Sequence, residues 1–396
     1  MRPGCSSFRA VLFLYTHVNF TRQPHCGRSS MLTGMESIKT RAMLARAPGL
    51  RAKHIHALFA LTGDELELGD CALRAVEMPP AARSWLSSSD REELTRDLRW
   101  IEASGVHLLL CTDLSYPPLL AQISEPPPVL FVLGSLAVLQ SPQLAIVGSR
   151  TPTPAGRKTA RDFALALAEV GLTITSGLAV GVDAASHEGA LLADGLTVAV
   201  FGTGLDAVYP SENTRLAARV RERGALVSEF PPRTGPARRN FPQRNRIISG
   251  LSRGTLVVEA ALRSGSLVTA KWAAEQGREV FAIPGSIHNR LTRGCHKLIR
   301  DGAMLVESPD DVVLELQLPQ CRQRLRHRAV GQKASPALDK EYEMLLDALG
   351  FEPATIDDLV GRTGIPGATV ASMLLILELE GCVAALPGGR YDRIPE

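Results

Sequence analysis

Short apolar runs recur through the middle of the chain at residues 144–148, 173–175, 197–201, 225–228, 255–258 and 279–283. They are nearly continuous rather than alternating, and Val, Ile, Leu and Thr dominate them. Between most of them, at residues 155–170, 180–193, 212–223 and 267–276, apolar positions fall at three- and four-residue spacing. Strands that are apolar on both faces, alternating with helices, predict an α/β unit: βαβ repeats around a parallel sheet covered on both sides. In such a sheet ligands bind at the loops that follow the carboxyl ends of the strands. Gly148-Ser149-Arg150, Ser176-Gly177, Gly202-Thr203-Gly204, Glu229 and Glu259-Ala260 all fall there.

The flanks have different periods. Residues 38–47, 52–61 and 90–103 read as helices, with a turn at Ala47-Pro48-Gly49-Leu50 and a short strand at 108–111. Pro117-Pro118 and Pro126-Pro127-Pro128 mark the approach to the central unit. Beyond it, Arg322, Arg324, Arg326, Arg328 and Lys333 form a basic linker with no acid until Asp339. Helical patterns at 339–349, 355–362 and 366–379, then a hairpin around Pro387-Gly388-Gly389, predict a winged helix. Its third helix carries no Lys or Arg and ends in Glu378 and Glu380, whereas a groove-reading helix is basic or amide-rich. Contact with protein, or regulation, suits it better than base reading. The expected division is 1–35 as a disordered leader or over-extended start, 36–125 helical, 126–317 the sheet domain, 318–336 the linker and 337–396 the winged helix. The apolar run at 10–15 is too short for a signal-peptide core, and no run approaches the length needed to span a membrane.

Length and composition add bounds. With 396 residues, 45% hydrophobic and 21% charged, the chain has ample material for two or three domains. A net charge of +3 makes any basic surface local. Seven scattered cysteines, with no C-x-x-C pair, indicate reduced thiols in a cytoplasmic protein rather than a zinc site or a disulfide framework.

The local basic surface is conspicuous. Residues 230–258 contain no Asp or Glu but carry Arg233, Arg238, Arg239, Arg244, Arg246 and Arg253, with Phe241 among them. Guanidiniums that fork onto phosphates around one aromatic suit a nucleic acid strand, although a solvated basic loop has the same composition. Arg150 and the expected helix start at Ser264-Gly265-Ser266, with Lys271 beyond it, would add two phosphate-friendly positions on the same edge. Other signatures fail on context. Gly250-Leu251-Ser252-Arg253-Gly254 precedes a strand, where a nucleophile elbow follows one. Gly156-Arg157-Lys158-Thr159 is interrupted for a phosphate loop. Asp183 and His187, four apart, lack a third metal ligand. Gly202-Thr203-Gly204-Leu205-Asp206-Ala207 matches a dinucleotide fingerprint, but Tyr209-Pro210 would break the helix that should hold the pyrophosphate.

Taken in order, Ala145 to Arg150, Ser176-Gly177-Leu178-Ala179, Gly181 to His187, Gly204-Leu205-Asp206 with Tyr209-Pro210, Ser228-Glu229, Phe241 to Gly250, Glu259-Ala260 with Ser264 to Leu267, and Gly277 to Val280 with Pro284-Gly285 resemble the DNA-processing protein A family (DprA, also called Smf). The resemblance implies an extended Rossmann-type domain, a small SAM-like helical N-terminal domain and a winged-helix C-terminus. It implies a non-enzymatic protein that binds single-stranded DNA, protects incoming strands in natural transformation and loads the RecA recombinase. A homodimer through the chain after about Gly277 is also implied, and neither cofactor nor metal. Arg150 resembles a DNA-contacting arginine, Phe241 the base-stacking aromatic and Arg238 a phosphate contact. The expected DNA-binding set is Gly148, Ser149, Arg150, Ser176, Gly177, Arg238, Arg239, Phe241, Arg244, Asn245, Arg246, Ser264, Gly265, Ser266 and Lys271. Val180 stands where the family commonly has arginine. Two alternatives stay open: a Rossmann-type nucleotide-binding sensor or enzyme, and a winged-helix regulator binding double-stranded DNA.

Overall fold

A computed structural model of the chain describes residues 34–63, 68–88, 92–318, 321, 340–350 and 352–394. Residues 1–33 of the expected leader and most of the basic linker lie outside the described residues, and the last two leader positions, Gly34 and Met35, begin the first helix.

The apolar runs become strands, and their loops place them in one nine-stranded sheet. Its parallel part consists of β3 (Gln143–Val147), β4 (Thr173–Ser176), β5 (Thr197–Val200), β6 (Ala225–Ser228), β7 (Gly254–Val257), β8 (Glu279–Ala282) and β9 (Met304–Leu305). Two further strands, β1 (His107–Leu110) and β2 (Val129–Gly134), pair antiparallel with each other, and β2 pairs antiparallel with β6. The order is β1-β2-β6-β5-β4-β3-β7-β8-β9. From β3 the chain winds outward through β4, β5 and β6, then returns to the other side of β3 through β7, β8 and β9. The winding therefore reverses between β3 and β7, which creates a crevice at their carboxyl ends.

Helices cover both faces, as strands without a polar face require. Against one face, α7 (Pro154–Glu169), α8 (Val182–Leu192) and α13 (Pro309–Glu315) pack on Ile146, Ile174, Leu256 and Phe281, and α9 (Thr214–Arg223) lies beside α8 on the same face. The other face carries α10 (Asn240–Leu251), α11 (Ser266–Glu275) and α12 (Arg293–Arg300), and shares its core with the N-terminal helices. Those are α1 (Gly34–Arg46), α2 (Ala52–Thr62), α3 (Asp70–Ala75), α4 (Pro80–Ser87) and α5 (Glu92–Ser104); the short α6 (Pro118–Ala121) follows β1. The C-terminal unit has its own core of Leu345, Leu346, Leu359, Val370, Leu374 and Leu377. It comprises α14 (Lys340–Leu349), α15 (Ile356–Thr363) and α16 (Gly367–Leu379), with a small sheet of β10 (Ala354–Thr355), β11 (Val383–Leu386) and β12 (Arg390–Arg393). The winged helix is thus present, and α16 exposes Leu375, Ile376 and Leu379 rather than a basic face. Among the described residues no single helix is long and apolar enough to cross a membrane.

Three elements depart from expectation. Strand β1, placed by sequence in the helical segment, joins the large sheet through β2, which the proline run at 126–128 obscured. The helix expected from residue 212 begins as a 3₁₀ turn over Ser211–Asn213, and only Thr214–Arg223 is α-helical. The arginine stretch is itself a helix, α10, with Pro242 tolerated in its first turn.

The N-terminal helices are fixed to the sheet unit by a buried carboxylate. Asp97 on α5, 1% exposed, receives the Arg46 guanidinium from α1, at 3.1 Å through Nη2, and that of Arg233, at 2.5 Å, from the loop after β6. Asp97→Ala removes the buried acceptor that two cations share; we expect a loss of about 2–3 kcal/mol of folding stability, read as a lower urea midpoint.

Candidate nucleic-acid interface

The crevice between β3 and β7 opens into a groove of about 750 Å³. One wall is Gly148, Ser149, Arg150 and Thr151, from the loop after β3; the opposite wall is Ala261, Arg263, Ser264, Gly265 and Ser266, from the loop after β7 and the start of α11. Arg238, Phe241, Pro242, Arg244, Asn245 and Ile248, on α10 and just before it, form the third side.

Phe241 is half-buried and lies on a glycine. A Cβ on Gly202 would sit 2.9 Å from the Phe241 ring, so only glycine at this strand end lets the ring settle there. The Arg150 guanidinium lies 5.8 Å from the ring centroid, and Tyr209 sits 5.6 Å away at a 40° tilt. Both Arg150 and Tyr209 are exposed. Two aromatics and a cation thus converge at one end of the groove, an arrangement suited to flat rings joined by phosphates. Among the described residues, Arg150, Arg238 and Arg263 have no carboxylate within ion-pair distance, which leaves their charge available to a ligand.

Other expected cations have structural work. Arg244 is 5% exposed and donates to the carbonyl oxygens of Gly177, at 2.8 Å, and of Val200. A Cβ on Gly177 would meet the guanidinium at 2.6 Å, which accounts for glycine there. Burial lowers Arg244 to about 10, still charged at neutral pH. Arg246 forms a two-pronged pair with Glu229, both bonds 2.7 Å and both side chains 7% exposed, so its charge is neutralised within the fold. Lys271 points away from the groove and pairs with Glu275 along α11 at 3.6 Å. The buried Ser176 hydroxyl donates to the Ile146 carbonyl, and Gly177 lies beneath Arg244. Arg239 is exposed but lies outside the groove lining, and Asn245 lines the groove while donating to the Gly265 carbonyl at 3.3 Å. Thus of the expected contacts Arg246, Ser176, Gly177 and Lys271 lie outside the groove lining, and Arg244 lines it with its guanidinium bound to backbone carbonyls. Tyr209 and Arg263 line it and were missed: Tyr209 read only as a helix breaker, and Arg263 sits before a serine-rich loop that drew attention to its backbone.

At this edge the start of α7 and the loop ahead of α8 are occupied by the protein's own carboxylates. Glu259 accepts from the Thr153 backbone N–H at 2.9 Å and its hydroxyl at 2.7 Å, while Thr153 caps Gly156 at the start of α7. Asp183 accepts from the Gly177 and Ala179 N–H groups at 3.2 and 3.3 Å, ahead of α8. Burial raises both carboxyls above their ordinary range. In a Rossmann-type nucleotide site a phosphate occupies the first of these positions; here the donors already face a carboxylate. His187 makes no metal site with Asp183. The Thr197 hydroxyl donates to Ile174, so its oxygen accepts the His187 Nδ1–H at 2.7 Å, and the buried Nε2 has no partner. Among the described residues no cluster of three metal-ligating side chains occurs.

Comparison with known proteins follows the same outline. The profile of the DNA recombination-mediator protein A family matches residues 107–317, and that of the DprA winged helix domain matches residues 331–389. Protein Smf of Escherichia coli (strain K12) is 46% identical over 313 residues, covering 78% of this chain and 82% of that protein. The DNA processing protein DprA of Streptococcus pneumoniae (strain ATCC BAA-255 / R6) is 47% identical over 254 residues, 64% of this chain and 88% of its own. The X-ray structure of DNA processing protein A from Streptococcus pneumoniae, 38% identical, covers 72% of this chain and 98% of its own, with a TM-score of 0.62.

Two stability measurements separate supporting groups from exposed ones. Arg246→Ala leaves Glu229 buried and unpaired and should cost about 3–5 kcal/mol in urea unfolding, whereas Arg150→Ala should stay within about 0.5 kcal/mol. Burial holds His187 near 3, well below an unfolded histidine at about 6.5. The unfolded chain therefore binds the extra proton. The His187 contribution to stability is complete above about pH 6.5 and is lost toward pH 3 by up to about 1.4 kcal/mol per pH unit. A pH series of unfolding midpoints that is flat across this window relative to His187→Gln would contradict this.

Proposed function

Because the chain belongs to the DNA recombination-mediator protein A family, we propose that its groove binds single-stranded DNA. One observation carries the reading: an aromatic platform and three arginines without carboxylate partners share an open groove, while the start of α7 and the loop before α8 already face the protein's own acids. That design disfavours a discrete terminal phosphate and favours a strand, whose bases stack and whose phosphates are spaced along the walls. Phe241 is the stacking surface, with Tyr209 beside it. Arg150, Arg238 and Arg263 neutralise phosphates, and Gly148, Ser149 and Ser264 to Ser266 let the backbone approach closely. Binding is then tolerant of sequence and sensitive to salt, with about 0.7 added to the salt slope for each phosphate neutralised.

We further infer the role implied by the family resemblance: a non-enzymatic cytoplasmic mediator that protects incoming strands during natural transformation and loads the RecA recombinase on them. A homodimer through the chain after Gly277 is part of this reading. The two-residue edge strand β9, with Leu305 exposed, supports it, because such an edge is open to a partner. The acid-ended, arginine-free α16 argues against duplex reading by the winged helix.

Phe241→Ala combined with Arg238→Ala should weaken binding of a labelled oligodeoxythymidylate well beyond tenfold in a fluorescence-anisotropy titration, with the unfolding midpoint little changed. An unaltered dissociation constant in that double variant would overturn the assignment. Thermal stabilisation by a mononucleotide but not by an oligonucleotide would shift the reading to a nucleotide sensor. Loss of DNA binding on removal of residues 336–396 would shift it to the winged helix.

A further inference from the structure

The winged helix is seated on the sheet unit beside the groove. Strand β12 packs on α7, and Glu352, between α14 and β10, accepts a hydrogen bond from the Ser286 hydroxyl in the loop after β8. Both footholds border the groove. Helix α7 follows directly from the wall at 148–151, and its first turn is the one that Glu259 and Thr153 hold. The loop after β8 carries Leu291 into the groove lining, and the hydroxyl of the next residue, Thr292, donates to the Ser286 carbonyl oxygen at 2.6 Å. The charge of the seated unit is opposite to that of the groove. Residues 340–394 carry nine Asp and Glu against four Lys and Arg, a net −5, whereas the groove presents Arg150, Arg238 and Arg263 without carboxylate partners. An acidic body beside unpaired cations takes the electrostatic place of a polyanion. At physiological salt such a field reaches only about 8 Å, so it acts on the groove while the unit is docked and not when it is released.

The contact is also weak by construction. Asp392 on β12 is 4% exposed, and among the described residues no cation pairs with its carboxylate or with that of Glu259. Asp392 lies close enough to Glu259 to disfavour the charged form of that carboxylate, while burial raises Asp392 above its ordinary range. Two buried acids with no cation between them destabilise the docked arrangement and are relieved when the unit leaves. Each part keeps its own interior on separation, because the core of the C-terminal unit shares no residue with the two cores of the sheet unit. Docked and released arrangements of the same folded parts are therefore both accessible, which is what a two-state element requires.

We propose that the acidic winged helix is an inhibitory cover for the groove: docked through β12 on α7 and through Glu352 on Ser286, it opposes the entry of a phosphate chain, and a bound strand in turn drives it off. The proposal rests on the single-strand reading above and adds to it a control that the groove alone does not have. The coupling is reciprocal, so the factor by which docking lowers strand affinity is the factor by which a strand lowers docking. A docked arrangement that excludes the strand and holds about nine chains in ten would reduce the apparent affinity about tenfold. The unit exerts this control without reading bases, consistent with an α16 that carries neither Lys nor Arg.

The test compares strand affinity with the cover seated, loosened and removed. A labelled oligodeoxythymidylate of about 20 nucleotides is titrated by fluorescence anisotropy against the full chain, against Glu352→Ala, and against the chain lacking residues 336–396. Glu380→Ala, an exposed acid at the end of α16, removes the same charge away from the two footholds and serves as the control. Glu352 is exposed as well, and an unchanged unfolding midpoint shows that its variant still folds. The proposal expects the shortened chain to bind about threefold or more tightly than the full chain, and Glu352→Ala to move the same way by about twofold or more. Glu380→Ala should stay within about 1.5-fold. Affinity that is unchanged or lower in the shortened chain overturns the proposal. So does a gain from Glu380→Ala equal to that from Glu352→Ala, which would reflect overall charge rather than docking. If neither the full nor the shortened chain binds the oligonucleotide, the groove reading fails first and the cover falls with it, an outcome distinct from equal binding by both.

Discussion

Arg244 is the constraint on which the groove depends. A guanidinium 5% exposed must have acceptors, and the available ones are the carbonyl oxygens of Gly177 and Val200 at the carboxyl ends of β4 and β5. Meeting them draws α10 over the sheet edge and fixes its rotation. Phe241, three residues earlier, then lies on the same side of the helix and settles on Gly202 at the end of β5. Arg246 is turned elsewhere, onto Glu229 beyond β6, so α10 is clamped at two points by two arginines whose charges are engaged within the fold. What is left open to a ligand is the ring of Phe241, and Arg238 just ahead of the helix. Asp183, close enough to favour the charged form of Arg244, also turns its oxygens to the N–H groups preceding α8, and so links the clamp to the neighbouring loop.

Much of the fold was legible because apolar strands and helical spacing alternate so regularly from residue 144 to residue 283. Less so were the elements whose signal depends on partners distant in sequence. Strand β2 looks like a proline-flanked apolar run until β6 is available to pair with it. The candidate site divided along the same line. Phe241 and Arg150 were visible from residue type and position, one within an acid-free stretch and one after the first parallel strand. The roles of Arg244 and Arg246 were not visible, because a guanidinium facing two carbonyls and one facing a carboxylate have the same one-letter record as a guanidinium facing water. Tyr209 was hidden by its proline neighbour. Arg263 was hidden by the serines after it, although the switch between β3 and β7, once known, points directly at its loop.

On the single-strand reading, the occupied backbone donors give this scaffold a different ligand class from a nucleotide site. A doubly wound sheet offers phosphate two aids at the switch point, helix dipoles and free backbone N–H groups. Here Glu259 faces the start of α7 and Asp183 takes the N–H groups of the loop before α8, and burial raises both carboxyls while the hydrogen bonds oppose that rise. Negative charge brought close to those helix ends now meets carboxylates rather than donors. Attraction is left to Arg150, Arg238 and Arg263, which stand on separate segments of the rim rather than converging on one point. Dispersed cations hold a compact phosphate poorly and a repeating one well, because each can take a different phosphate of the same strand. The acids that look like defects in an anion site are therefore what removes the competing ligand.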